Sequence, residues 1–159
     1  METTRQLAHG FPNDPMVSEA FIQVAEYYYL VSKDYTMSAR IYERLIRRFP
    51  DAPKANQMYF RLGSCYWNLG NKEKGVTTDS YVKGGDRYLS YVKLFPDTKQ
   101  VPDALYWGAR CYAAAVKNDN AFTMLQRLVV NYPNSNLAKL AKDMLLTLGN
   151  AKPVIDLFD

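Results

Sequence analysis

The chain has 159 residues, of which 48% are hydrophobic and 14% aromatic, and its formal net charge is +4. This composition excludes intrinsic disorder and predicts one soluble folded domain with a substantial apolar core. The basic residues are scattered along the chain, so the charge does not indicate a nucleic-acid partner. Because no stretch approaches the roughly 18 consecutive apolar residues of a membrane span, we expect no membrane insertion by this chain.

The opening residues match the end of a predicted helix further along the chain. Gln6 to Pro12 align with Arg44 to Pro50, and both stretches finish in Phe-Pro. We therefore interpret residues 1–12 as the remnant second helix of a preceding unit, and we expect the chain to be part of a longer protein. The only histidine, His9, has no second ligand at metal-binding spacing, so no metal site is predicted.

An aromatic residue, a proline and then Asp or Asn recur together four times. The prolines are Pro12, Pro50, Pro96 and Pro133, and they are separated by 38, 46 and 37 residues. This period indicates a stack of small supersecondary units. The units are predicted as repeat 1 (13–50), repeat 2 (51–96) and repeat 3 (97–133), followed by a capping helix (134–149) and a tail (150–159).

Each unit is predicted to be a helical hairpin. In repeat 1, apolar residues recur at helical spacing over residues 18–30 and again over 39–49, and Pro50 ends the second helix because it lacks a backbone donor. The middle unit is longer, and its excess falls at residues 71–80, which we interpret as an insertion between its helices. A solvated loop or an extended helix end is favoured there over a binding loop. Gly84-Gly85 follows, so the second helix is expected to start late or to bend.

The first helices share a small residue followed three positions later by a tyrosine. Superposing the units on their prolines aligns these pairs: Ala25 and Tyr28, Gly63 and Tyr66, and Ala109 and Tyr112. The small residue lets a partner helix approach closely, and the tyrosine fills the space one turn later. We expect packing rather than catalysis from both positions.

These residues carry a resemblance to a known family. Leu62-Gly63-x-x-Tyr66 followed by Gly70, with a second helix that closes on a proline, resembles the tetratricopeptide (TPR) pattern. The closing Phe-Pro-Asp resembles more particularly the bacterial branch that includes BamD of the outer-membrane barrel-assembly machine and the Tol-Pal accessory protein YbgF. The resemblance implies an all-α fold, a right-handed α-solenoid of TPR-like hairpins with a C-terminal capping helix.

In TPR-like stacks the first helices line the concave face, and the resemblance therefore implies where a partner binds. The expected contact residues are Ile22, Glu26, Tyr29, Phe60, Ser64, Trp67, Tyr106 and Arg110. In the subclass that clamps a peptide's carboxyl terminus, the matching positions carry lysines and asparagines. Here they carry Ile22, Glu26, Arg61, Asp103 and Trp107, so a clamp is not implied. An aromatic face with one arginine and one glutamate suits a peptide with apolar anchors.

Sequence motifs for catalysis are absent. Cys65 and Cys111 occupy equivalent positions on adjacent first helices, whose axes pack ~8–10 Å apart, and we predict two free, buried thiols rather than a disulfide. The sequence has no P-loop, no dinucleotide fingerprint and no nucleophile elbow. We therefore predict neither a cofactor nor enzymatic activity.

These observations favour a non-catalytic scaffold that binds a peptide or partner protein on its concave aromatic face, in a bacterial cell-envelope assembly complex. Two alternatives stay open. One is a module that self-associates through its open solenoid ends, and the other is a recruiting or regulatory domain of a larger enzyme. The expected location is the periplasm, where the full-length protein is either free or tethered to the outer membrane. The cytoplasm is the alternative location.

Overall fold

A computed structural model describes residues 15–72 and 79–150 of the chain. Over these residues the only regular secondary structure is α-helix, as predicted. The seven helices are α1 (Pro15–Leu30), α2 (Tyr35–Arg48), α3 (Ala55–Lys72), α4 (Asp79–Leu94), α5 (Val101–Ala114), α6 (Asn118–Asn131) and α7 (Asn136–Asn150). Each helix packs on its neighbours in sequence, and α3–α5 and α5–α7 contacts join alternate helices. This nearest-neighbour packing is that of an α-solenoid.

The recurrent proline ends the second helix of each hairpin. Helices α2, α4 and α6 each end two residues before Pro50, Pro96 or Pro133. The aromatic residue in between still donates its backbone N–H to the helix, as Phe49 does to the Leu45 carbonyl at 2.7 Å. The proline cannot donate in turn, so the chain leaves the helix and begins the next hairpin. The role predicted for this motif is confirmed.

Left-handed residues close two of the hairpin turns. Lys33 has φ of 53° and Val116 has φ of 59°. Beyond α5, the Val116 N–H bonds to the Ala113 carbonyl at 3.0 Å and the Lys117 N–H to the Tyr112 carbonyl at 2.8 Å. These bonds satisfy carbonyls at the helix end, but they hold a β-branched residue in a conformation that glycine adopts far more easily.

Val116→Gly is therefore expected to raise the free energy of unfolding by about 0.5–1 kcal/mol. Val130→Gly is the matched control, because Val130 is as exposed as Val116 (73% against 74%) but lies within α6. It should lower stability slightly, since glycine disfavours a helix interior. Urea denaturation of both variants measures the difference. Two effects of the same sign would contradict the strain assigned to Val116.

Two apolar clusters form the core. One lies in the α1–α3 half around Tyr42, and the other lies in the α4–α7 half around Tyr88 and Tyr91, with Phe95 packed against both. Tyr42 and Tyr88 occupy equivalent positions on the second helices α2 and α4, and both are fully buried. The second helices thus supply the large side chains that fill the space between first helices.

Two of the tyrosines aligned in the first helices, Tyr66 and Tyr112, also join one hairpin to the next. Tyr66 on α3 donates its hydroxyl to Glu43 Oε1 on α2 at 2.5 Å, and Tyr112 on α5 donates to Asp86 Oδ1 on α4 at 2.7 Å. Burial and the neighbouring carboxylate together raise the pKa of both phenols. These residues combine packing with a directed bond between units.

Gly84 and Gly85 are interior residues of α4, which begins at Asp79. The expectation that this helix starts late is wrong, and a bend at the glycines stays a prediction. A Cβ at Gly84 would lie 2.9 Å from Cys111 Sγ, and one at Gly85 would lie 2.7 Å from Cε1 of the Tyr112 ring. The glycines are therefore needed because α5 packs directly on the α4 backbone, and this close packing outweighs their low helix propensity.

The expected insertion at 71–80 is partly helical. Asn71 and Lys72 belong to α3, and Asp79 and Ser80 belong to α4, whereas residues 73–78 lie outside the described part. The predicted opening remnant (1–12) and residues 151–159 of the predicted tail also lie outside it. The division of the chain into three repeats and a cap stays a prediction.

Both cysteines are free and buried, as predicted. Cys65 Sγ donates to Ser38 Oγ at 3.3 Å, and the Ser38 hydroxyl donates to the Ala25 carbonyl at 3.0 Å. Burial raises the pKa of each thiol to about 12. The thiols are therefore protonated at neutral pH and unreactive in the folded state.

Candidate aromatic binding face

The less buried sides of α1, α3 and α5 meet along one surface, which we call the first-helix face. It comprises Glu26, Tyr29, Phe60, Arg61, Ser64, Trp67, Asn68, Tyr106, Trp107 and Arg110. Contacts across it join α1 to α3 through Glu26 and Arg61, and α3 to α5 through Trp67 and Arg110. Seven of the eight residues expected to contact a partner lie on this face.

Ile22 is the exception, and its assignment to the binding surface is corrected here. Only 3% of it is exposed, and it belongs to the core cluster of the α1–α3 half. The equivalent positions in the next two units are occupied by Phe60 and Tyr106, which are only partly buried. A branched aliphatic side chain is too short to reach out of the helix interface, whereas the larger rings extend beyond it.

An ion pair anchors the α1–α3 end of the face. Arg61 Nε lies 2.7 Å from Glu26 Oε1, and the Tyr42 hydroxyl donates to the same oxygen at 2.6 Å. Burial disfavours the charged guanidinium, but the hydrogen bond to Glu26 and its charge outweigh burial and raise the pKa of Arg61. Glu26 is thus occupied by two internal donors.

Tyr29 extends this arrangement. The Arg61 guanidinium carbon lies 4.9 Å from the centre of the Tyr29 ring, and Asn68 Nδ2 donates to the Tyr29 hydroxyl at 3.2 Å. Burial is the largest influence on this phenol and raises its pKa. The cation lies over one aromatic face and beside one carboxylate, so its charge is largely satisfied within the chain.

Phe60 and Ser64, both expected to contact a partner, also pack internally. The Phe60 ring meets the Tyr88 and Tyr91 rings edge to face at 5.2 and 5.5 Å. The Ser64 hydroxyl lies 2.9 Å from the Tyr88 hydroxyl. Both side chains therefore contribute to the packing interface between α3 and α4.

At the α3–α5 end, aromatic rings surround a second arginine. The guanidinium carbon of Arg110 lies 4.8 Å from the centre of the Trp67 ring and 4.7 Å from that of Trp107. The two indoles meet at 5.7 Å with an interplanar angle of 64°. Tyr81 adjoins Trp67 at 5.4 Å, and Tyr106 adjoins Trp107 at 6.0 Å. We call these five residues the arginine–tryptophan cluster.

Arg110 differs from Arg61 in its charge balance. Within residues 15–72 and 79–150, no carboxylate lies within ion-pair distance of Arg110. Asp103 shares its side of α5 but stands seven residues away, which is about 10 Å along a helix. All five residues of the cluster are partly accessible to solvent. As far as the structure describes the chain, the cluster therefore presents a cation that adjoins aromatic rings and has no carboxylate beside it.

The sequence placed Trp67, Tyr106 and Arg110 among the expected contacts and Arg61 and Trp107 at positions that match the peptide clamp. It did not identify Asn68, or Tyr81, which adjoins the face from α4. Trp107 and Arg110 are three residues apart, and Arg61 and Asn68 are seven apart, which are helical spacings on one side. The sequence alone therefore indicates that the residues of each pair share one side of a helix. The position of Tyr81 could not be predicted from helical spacing, because Tyr81 lies on α4 and reaches the face only through the packing of α4 on α3.

Comparison with known proteins finds one family of repeats that matches two segments of the chain. Residues 19–52 and 103–135 match the tetratricopeptide repeat. The first match spans most of α1 and α2, and the second spans most of α5 and α6. The described residues therefore form an α-solenoid, and two of its segments are similar to tetratricopeptide repeats, which generally mediate protein–protein interaction. No curated protein shows a significant match to the chain.

Membrane-spanning helices and metal-ligand clusters are both absent from the residues that the structure describes. None of their helices is both long and apolar enough to cross a membrane. Within the same ranges, no group of three His, Cys, Asp or Glu side chains is arranged to hold a metal ion.

Proposed function

We propose that this protein is a non-catalytic scaffold that binds a peptide segment of a partner protein on the first-helix face. The arginine–tryptophan cluster is the observation that carries the proposal. Two tryptophans, two tyrosines and an arginine converge there from three helices, and all remain partly exposed. Tryptophan, tyrosine and arginine are the residues that contribute most binding energy in protein interfaces.

Packing alone does not require this arrangement. The small residues at this level, such as Gly108 and Ala109, already let the helices approach, and both are buried. The cluster lies outside them, on the solvent side of α3 and α5. Large rings held by one another lose little conformational freedom when a partner binds, which favours affinity.

The test is selection of decapeptides from a random display library on the folded chain. The binding of the selected peptides is then measured on a Trp67→Ala/Tyr106→Ala variant. We expect affinity to fall by about 30-fold or more, because truncating a hot-spot residue costs 2 kcal/mol or more. Tyr27→Ala is the matched control, since Tyr27 is an exposed tyrosine of α1 (55% exposed) that is not part of the face. Equal binding to all three folded proteins would reject the surface.

We further propose that this binding serves a bacterial envelope assembly complex and that the full-length protein acts in the periplasm. The support is the resemblance of the Phe-Pro-Asp closures to the BamD and YbgF branch. Fractionation of native cells, with an antibody against this domain, tests the location. Recovery with cytoplasmic markers alone would contradict the envelope role and leave the peptide-binding function standing.

Self-association is the second candidate, and the exposed apolar end of α1 favours it. Tyr27, Leu30 and Val31 are 55%, 50% and 66% exposed. Light scattering over a concentration series distinguishes the two functions. A strict monomer at all concentrations would contradict self-association as the main role of this chain.

A further inference from the structure

We propose that the arginine–tryptophan cluster selects an acidic side chain of the bound peptide. The Arg110 guanidinium receives the Asp or Glu carboxylate, and a neighbouring apolar side chain of the peptide packs on the indole edges. This inference rests on the proposed function and specifies the chemistry of the partner.

The repeat register explains why Arg110 is available. Its equivalents in the first two units are Glu26 and Ser64, and each of these contacts the hydroxyl of a second-helix tyrosine, Tyr42 or Tyr88. In the third unit the position equivalent to those tyrosines is Leu125, which is fully buried and offers no polar group. The position that is satisfied internally in two units is therefore free of that contact in the third.

The comparison with Arg61 predicts the sign of the charge on the ligand. Both arginines lie on the first-helix face and both adjoin aromatic rings, but only Arg61 has a carboxylate beside it, that of Glu26. Among the described residues Arg110 has none, and its nearest acidic neighbour in the α5 stripe, Asp103, is two turns away. A cation held against apolar rings gains most from an anion supplied by the partner.

The contacts of Arg110 with the two indoles also favour a carboxylate as the ligand. Trp67 and Trp107 both lie against the guanidinium, at 4.8 and 4.7 Å from its central carbon. The two indoles are inclined at 64° to each other, so at most one of them can lie parallel to the guanidinium plane. The N–H groups that do not face the rings stay available to bond one carboxylate side by side. The rings are already occupied by an internal cation, so the cluster does not suit a cationic ligand.

The experiment uses the decapeptides selected on the full chain. For each, a second version is synthesised in which every Asp and Glu is replaced by Asn and Gln. We expect the selected peptides to be enriched in acidic residues, and we expect neutralisation to weaken binding to the native protein by about 10- to 100-fold. For an Arg110→Gln variant, neutralisation should change binding by less than about threefold. Arg110→Lys should give an intermediate loss, because it keeps the charge without the planar fork.

Arg127→Gln is the matched control for net charge, since Arg127 is exposed and lies on α6, which contributes no residue to the cluster. It should leave the acid dependence of the native protein unchanged. Circular dichroism confirms that each variant is folded. Equal loss of acid dependence in both glutamine variants would show a general charge effect and overturn the proposal.

The two proposals fail in different ways. If the selected peptides depend on Trp67 and Tyr106 but show no acidic preference, this inference is overturned and the proposed function stands. If no peptide is selected, or if selected peptides bind independently of the face, both are overturned.

Discussion

Replacing Tyr88 with alanine is expected to lower the free energy of unfolding by about 3–5 kcal/mol, the usual cost of removing a large buried ring. Tyr88 is 1% exposed and lies between α3 and α5. A Cβ added at Gly63 would lie 2.9 Å from the Tyr88 ring, and a Cβ added at Gly108 would lie 3.0 Å from the Cβ of Tyr88. The ring thus fills a space that two glycines keep open. The free energy of unfolding of a small domain is typically about 5–15 kcal/mol, so this loss is a large fraction of it.

Two controls separate the cavity from other effects. Tyr88→Phe removes only the hydroxyl that lies 2.9 Å from Ser64, and it should cost about 1 kcal/mol. Tyr27→Ala removes an exposed tyrosine and should change stability by no more than about 0.5 kcal/mol. Urea denaturation at neutral pH ranks the three variants. A Tyr88→Ala variant as stable as Tyr27→Ala would refute the packing assigned to α4.

Raising the pH above about 9 is expected to destabilise the fold progressively. Six buried side chains have a raised pKa in the folded state, chiefly because burial disfavours their anions: Cys65, Cys111, Tyr42, Tyr66, Tyr88 and Tyr112. For both thiols the folded pKa is about 12. In the unfolded chain these groups ionise near their ordinary values, about 8.5 for cysteine and 10 for tyrosine.

The direction follows from proton linkage. Below the unfolded pKa the folded and unfolded chains hold the same protons on these groups, so stability is fully present. Above it only the unfolded chain ionises, and stability falls until the pH passes the folded pKa. Each group contributes up to about 1.4 kcal/mol per pH unit in its own window. Urea midpoints between about pH 7.5 and 10.5 measure the decline.

Two measurements assign the decline to these residues. A Cys65→Ala/Cys111→Ala variant should lose stability less steeply between pH 9 and 10, where the thiols are the first of the six to ionise. The part of the tyrosinate absorbance that Tyr42, Tyr66, Tyr88 and Tyr112 contribute should appear only as the chain unfolds. A flat urea midpoint across this range would show that the thiols and phenols are not held neutral by the fold.

Much of the fold followed from local signals. Helical periodicity and the position of each proline predicted the hairpins, because a helix must end where no backbone donor is available. Alignment of Ala25, Gly63 and Ala109 predicted which first-helix residues are buried, and all three are. The Gly84-Gly85 pair was misjudged because its effect depends on Cys111 and Tyr112, which are more than 25 residues away in the chain.

The site was less predictable. The register placed Trp67, Tyr106 and Arg110 on one surface, because residues at helical spacing share a face. It could not show that the Trp67 ring lies against Arg110, since that contact joins two residues 43 positions apart, on α3 and α5. Nor could it distinguish Arg61, which Glu26 neutralises, from Arg110, because both are arginines on the same kind of helix face.

The sequence by itself determined the number and order of the helices described here, the points at which the second helices end, and the side each first helix turns inward. These features depend on residues a few positions apart, whose spacing alone fixes their geometry. Only the tertiary structure decided which charges are neutralised and which aromatic rings remain exposed. Those properties arise where side chains from α1, α3, α4 and α5 meet, and the distances between them are set by the packing of whole helices.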